Sequence, residues 1–404
     1  MCQSVPVPTI DAFAGVRYDP AATPLDQVIA PPYDVVGPAE RDLLAHRSPW
    51  NAIHLELPEP DLRSGRDRYV AAAELLDDWL ERGVLVTDPR PALYPYRMTA
   101  PGGTATTGFV GALGIGEDVL THEETMPKPR SDRLDLLRAT GANLSPIWGL
   151  SLAKGLTATF APDGPPVADT YDDNGVRHQL WVLDDPVAVQ RVTAAAGSAP
   201  IVIADGHHRY ETARTYRDEV RSVNGGRAGD YDAVMALIVE LTPEQLHVRA
   251  IHRMVSSLPA GTDLLTLLEP YFDAVHAGTA SERVVAALEA SGSLALVTPE
   301  GSWMLTPRPD AFTRAGTDLE AGLIDLALQA APDASLDYTA EWPEALDALT
   351  GGRAQAVLLL RPVTVDQISA WAGARRRMPP KTTYFTPKPR TGMVIRVLSG
   401  QAEE

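Results

Sequence analysis

Cysteine is almost absent from this 404-residue chain: Cys2 is the only one. That excludes a disulfide within the chain and fits a reducing compartment. No apolar run approaches the roughly 18–20 residues that a membrane-spanning helix needs. The opening MCQSVPVPTIDAF has no basic region leading into an apolar core, so no signal peptide is expected. The expected setting is the cytoplasm, with no membrane partner. A positive surface is missing as well: the net charge of −18 opposes general nucleic-acid binding. Neither a Walker A loop, G-x-x-x-x-G-K-[ST], nor a Gly-rich kinase loop occurs, which excludes both common ATP-gripping folds. Lysine is scarce. Of 35 basic residues only Lys128, Lys154, Lys381 and Lys388 are lysine, and three of these fall in two polar stretches, MPKPRSDR and MPPKTTYFTPKPR. In a chain that writes its surface cations as arginine, a compact three-donor ammonium suits a phosphate oxygen.

What is present reads as globular, with 45% hydrophobic and 22% charged residues. The length exceeds a single core, which predicts two domains, 1–258 and 259–404, divided near 255–262. Strand-like and helix-like runs alternate, so the fold class expected is α+β or mixed α/β. The run RYVAAAELLDDWLERGVL (68–85) has helical spacing with Gly83 as its stop. ALYPYRMTA, TTGFVGALGI, PIWGLSLA, LTATFAP and RHQLWVLDD predict a mostly antiparallel meander, interrupted at 124–142 by a polar segment that becomes a helix. Beyond the boundary, helix and strand alternate until GMVIRVL, a closing strand.

Four stretches carry the chemistry. In IVIADGHHRYETA, Ile201–Ala204 predicts a buried strand and Arg209–Val220 a helix, leaving Asp205–His208 at the turn between them. Orphan N–H groups and the dipole at a helix start favour an anion there, and Gly206 permits close backbone approach. Histidines with an aspartate also suit a metal, but neighbouring helical side chains point about 100° apart, against both histidines sharing one ion. A structural turn is the remaining reading. In 116–146, His122, Glu123, Glu124, Lys128, Arg130, Asp132 and Arg133 crowd together without the second histidine of a zinc protease. They form either a salt-bridged surface loop or a general base beside phosphate clamps. In MPPKTTYFTPKPRTG (378–392), Lys381 and Lys388 flank Thr382, Thr383 and Tyr384 between stiffening prolines. This segment is expected to fold back onto the Asp205–Arg209 turn. VIAPPYDVVGP and NAIHLELPEP read as architectural strand and turn, with Tyr33 and Asp34 placed to line a pocket.

Taken together and in this order, APPYDVV, NAIHLELPE, THEET followed by K and DR, ADGHHR, and MPPKTTYFTPKPRTGMVI resemble the bacterial and archaeal family known as domain of unknown function 1015. The ADGHHR box is also similar to the phosphate-binding box of the ParB/sulfiredoxin superfamily, which includes free L-serine kinases. The resemblance implies a ParB/sulfiredoxin-like phosphate-binding core with an additional α/β domain, and phosphorylation of L-serine to O-phosphoserine. It implies that Asp205, Gly206, His207, His208 and Arg209 hold the donor. Lys128, Arg130, Arg133, Lys381, Thr382 and Lys388 then offset phosphoryl charge. Glu123 is the first candidate base, with Asp205 or Glu124 behind it and His122 as a further catalytic candidate; Tyr33, Asp34 and Thr125 are candidate substrate contacts. Mg²⁺ is expected, with Asp205 as its candidate protein ligand, and the donor is pyrophosphate or a nucleotide. The alternative is a ParB-like nucleotide-binding regulatory module; a nuclease-like hydrolase is opposed by the acidic charge.

Overall fold

The computed structural model describes residues 8–60, 65–121, 130–162, 164–278, 288 and 293–399. They are mixed α/β and divide into two compact units, Met1–His247 with Pro387–Glu404, and Val248–Thr386. No described helix is long and apolar enough to cross a membrane.

The first unit is built on a nine-stranded sheet. From one edge its order is Val119–Thr121, Ile201–Asp205, Ile147–Ser151, Ala233–Glu240, Ala105–Gly114, Tyr94–Thr99, Arg177–Leu180 and Ala168–Tyr171, with Ile10–Asp11 also on Ala105–Gly114. Ile201–Asp205 runs parallel to Val119–Thr121, and Ala233–Glu240 parallel to Ile147–Ser151; the other pairs are antiparallel. The central strands are buried on both faces, which is why AVMALIVE and IVIA read as continuous apolar runs rather than alternating ones. Ile147, Ile201, Ile203, Ile238 and Phe109 form the core with Tyr210 and Ala213 of the helix His207–Val223. Helix Arg68–Glu81 starts on Asp67, whose carboxylate accepts from Tyr69 N (2.8 Å) and Val70 N (3.3 Å), and it buries Ala72, Leu76 and Trp79.

Two local expectations differ from the structure. LTATFAP is no strand: Thr157–Thr159 is a 3₁₀ turn, because the Glu240 carboxylate collects Gly155 N (2.6 Å) and Thr157 N (2.9 Å). NAIHLELPE holds a short helix, Ile53–Glu56, started by Asn51 Oδ1 accepting from Ile53 N at 3.0 Å. The domain boundaries differ too. His252–Ser256 lies inside the second unit's antiparallel sheet, whose order is Phe272–Gly278, Gly301–Pro307, Leu294–Thr298, Ala356–Leu359, His252–Ser256, Ser335–Thr339. That unit therefore begins before 255. It ends at Thr386, because the described residues from Pro387 onward pack with the first unit.

The returning segment is stitched down along its length. Thr391 bridges to Ala30, Ile395 to Val16, and Arg396–Val397 pairs with Ala142–Asn143. Only this short piece of GMVIRVL is strand. Arg390 donates from Nε to Asp172 Oδ2 at 2.9 Å, and His178 Nε2 lies 3.1 Å from the same oxygen. Tyr96 Oη bonds His178 Nδ1 (2.7 Å) and accepts from Arg390 N (3.2 Å), so one buried polar cluster anchors the return. Breaking one partner of a buried ion pair costs about 3–5 kcal/mol. Arg390→Ala should lower unfolding free energy in urea by about that amount; a loss below about 1 kcal/mol would mean that the anchor lies elsewhere.

Candidate functional site

The strand Ile201–Asp205 is buried through Ala204 and hands the chain to Gly206 at φ 87°, ψ 26°, a left-handed residue from which His207–Val223 starts. A Cβ at 206 would sit 2.9 Å from Ile147 Cγ2 and 3.1 Å from Ile147 Cα and Arg209 Nε, so both dihedral and space select glycine. The positive end of the helix dipole lies at this turn, and His207 and His208 occupy the first two helical positions, half-buried.

Asp205 is the hub. Its Oδ2 accepts from Arg209 Nη2 at 2.8 Å, and its Oδ1 accepts from Lys388 Nζ. Lys388 Nζ also lies 3.9 Å from Asp34 Oδ2. Burial pushes the Asp205 carboxyl up, but Lys388 and Arg209, with His207, outweigh it and hold it down at about 2. As a proton acceptor it is weak in this arrangement; as the counter-ion that keeps two cations in place it is strong.

A chain of contacts leads from this hub to the N-terminal motifs. Arg209 Nη1 donates to Pro146 O (2.5 Å) and Ser145 Oγ (3.2 Å), and Ser145 Oγ donates to Glu56 Oε1 at 3.0 Å. Glu56 is buried, and burial pushes its carboxyl up against the pull of Arg133 and Arg209. Arg133 Nη1 donates to Glu56 O at 2.7 Å, while its Nε reaches Asp132 Oδ2 at 2.8 Å. The Tyr33 ring carries Arg133 at 4.4 Å and Arg209 at 6.0 Å from its centre, a double cation–π contact. Burial pushes the Tyr33 hydroxyl up to about 12, so it stays protonated. Glu56, Arg133, Ser145, Arg209 and Thr212 bound a small 50 Å³ cavity beside the turn.

Of the residues singled out from sequence, Tyr33, Asp34, Arg133, Asp205, Gly206, Arg209 and Lys388 come together here. Lys381 and Thr382 belong to the other unit, where Arg253 Nη1 donates to Lys381 O (3.1 Å) and Thr382 Oγ1 to Pro379 O (2.6 Å). The expected fold-back of MPPKTTYFTPKPR onto the turn thus holds for its Lys388 end. His122, Glu123, Glu124, Thr125 and Lys128 lie outside the described residues, and Arg130 opens the helix Arg130–Thr140. Glu56, Ser145, Asp172, His178 and Arg390 were not singled out from sequence. Only a charged residue between apolar ones, as in HLELP, marks Glu56. Among the described residues no group of three His, Cys, Asp or Glu converges to hold a metal, and Asp205 already spends both oxygens on Lys388 and Arg209.

The profile of a family described as "Protein of unknown function (DUF1015)" matches residues 10–337. No curated protein matches. Among solved structures, a conserved hypothetical protein from Pyrococcus furiosus is similar at 14% identity and TM-score 0.38, covering 70% of this chain and 92% of its own. A free serine kinase variant in complex with AMP is similar at 12% identity and TM-score 0.40, covering 70% and 88%. C-terminally truncated SbnI from Staphylococcus aureus is similar at 11% identity and TM-score 0.39, covering 70% and 85%.

The hub sets an acid limit. A folded carboxyl held at about 2 against an ordinary 3.8 contributes stability that is complete above about pH 4 and lost as pH falls towards about 2. In urea unfolding, the stability gap between the parent and Asp205→Asn should close through that window. A gap constant down to about pH 2 would show that Asp205 is not held as described.

Proposed function

The chain belongs to the DUF1015 family, and we propose that this member is a small-molecule phosphotransferase that moves a phosphoryl group from pyrophosphate or a nucleotide to the hydroxyl of free L-serine. One observation carries the reading. At a single strand-to-helix turn, a left-handed glycine, a helix start and two cations converge around one ionised carboxylate. Glycine lets phosphate oxygens approach the backbone, and the helix dipole and the Lys388 ammonium favour their charge. Phosphoryl transfer is mostly positioning and electrostatic stabilisation, so a turn of this composition suits it.

In this reading the donor's oxygens compete with Asp205 for Lys388 and Arg209. The serine Oγ attacks the terminal phosphorus, the bond to the leaving phosphate or nucleotide breaks, and the hydroxyl proton passes to a carboxylate. Glu123 is the proposed base, with Lys128 and Arg130 offsetting charge beside it. Asp205 regains proton affinity only as Lys388 leaves it for the donor. Mg²⁺ would arrive on the donor's oxygens rather than in a protein cage. Tyr33 and Asp34 line the same turn and are the proposed serine contacts.

The test is to incubate the protein with L-serine, Mg²⁺ and each donor in turn, and to measure O-phosphoserine by mass spectrometry. Product is expected with at least one donor. Lys388→Ala should raise that donor's KM by about ten- to a hundredfold. Glu123→Gln should lower kcat by about 10²–10⁴-fold with little change in KM. Nucleotide binding with no phosphoserine from any donor would replace this reading with that of a ParB-like regulatory module.

A further inference from the structure

The Val248–Thr386 unit holds a cavity of its own, 820 Å³ in volume and lined only by its own residues. That is within the roughly 300–1,000 Å³ of small-ligand pockets. Three nine-residue helices, Glu320–Leu328, Trp342–Thr350 and Val365–Gly373, begin at its wall, where Leu319, Glu320, Trp342 and Thr364 line it. Helix starts carry N–H donors and the positive dipole end, and although Glu320, Glu344 and Asp366 in the first turns offset the charge, the N–H donors remain available to an acceptor. Neither Leu319 nor Glu341 supplies a side-chain cap to its helix.

His252 points to a ligand independently. The residue is only 7% exposed, and its Nδ1 accepts from Leu360 N at 3.1 Å. Burial, with Arg249 and Arg253 nearby, holds the imidazole at about 4, so the ring is neutral and its one proton sits on Nε2. This ring lines the cavity, and its Nε2 has no partner among the described residues. That nitrogen is not sealed in the packing, so it is open to an acceptor in the cavity. Charge at the wall does not favour an anion: Arg249 pairs with Glu341 (2.8 Å) and Arg361 with Glu320 (3.3 Å), and Asp318 adds a further carboxylate, whose Oδ1 accepts from Trp371 Nε1. Selection therefore falls to donors and shape rather than to net charge. Phe312, Leu319, Trp342 and Leu360 supply apolar wall.

We propose that this cavity binds a small organic carboxylate with an apolar body, the carboxylate accepting from His252 Nε2 and the body lying against Phe312, Leu319, Trp342 and Leu360. The proposal stands apart from the phosphotransferase reading, since every residue it uses lies in the Val248–Thr386 unit.

Calorimetric titration of the full chain with phenylpropionate and with phenylpropanol tests it, because the two share one body and differ in the charged end. The acid should bind, and the alcohol should bind about tenfold or more weakly. His252→Asn keeps an oxygen acceptor for Leu360 N and removes the outward donor. It should weaken the acid about tenfold and leave the alcohol unchanged. Val363→Trp, at a half-buried wall position, should fill the space and weaken both, with thermal unfolding confirming that each variant is folded. Absence of acid binding, equal binding of acid and alcohol, or folded variants that bind the acid like the parent would each overturn the proposal.

Discussion

A carboxylate taken out of water is costly unless partners compensate it, and Asp205 is compensated from two directions. Arg209, four residues on, reaches back along the first turn of its own helix, and Lys388 arrives from the far end of the chain. Neither partner is placed by Asp205 alone. Arg209 is held by Pro146 O and Ser145, while Lys388 is held because Arg390, Thr391, Ile395 and Arg396 fasten the returning segment to the first unit. The pair therefore requires closure of the chain: residues before 60, around 145, at 205–209 and beyond 387 must be in register at once.

The same closure gathers cations at one place in an acidic protein. With a net charge of −18, the average field repels a phosphorylated ligand. Lys388, Arg209 and Arg133 stand against Asp205, Asp34, Asp132 and Glu56, so every cation there is matched by a carboxylate and the region is not positive as it stands. In the proposed reaction an entering anion would bind by exchange, taking over the cations that the carboxylates hold. Contact of the Arg133 and Arg209 guanidinium groups with the Tyr33 ring helps to orient both.

Much of this was legible in the sequence where the signal is local. Four apolar residues before Asp-Gly announce a buried strand ending at a turn, and the scarcity of lysine picks out Lys388. Where the contact is distant, sequence was silent. Glu56 and Ser145 look like ordinary residues of an apolar segment and a loop, and only the fold places them against Arg133 and Arg209. Ile-His-Leu-Glu-Leu alternates like a strand, yet Asn51 turns it into a helical turn by capping Ile53 while its amide donates to Gln27 O at 2.8 Å. The Lys381 and Lys388 pair reads as one loop, but the division between the two units falls between them. A linear pattern does not carry the information that a chain re-enters its first domain.

The most direct test of this account is a double-mutant cycle on Asp205→Asn and Lys388→Met, followed by urea unfolding at neutral pH. If the Asp205–Lys388 pair closes the chain as described, the two losses will be coupled by about 2 kcal/mol or more, with the double variant scarcely worse than either single one. Additive losses, agreeing within about 0.5 kcal/mol, would contradict it and leave the two residues as independent neighbours.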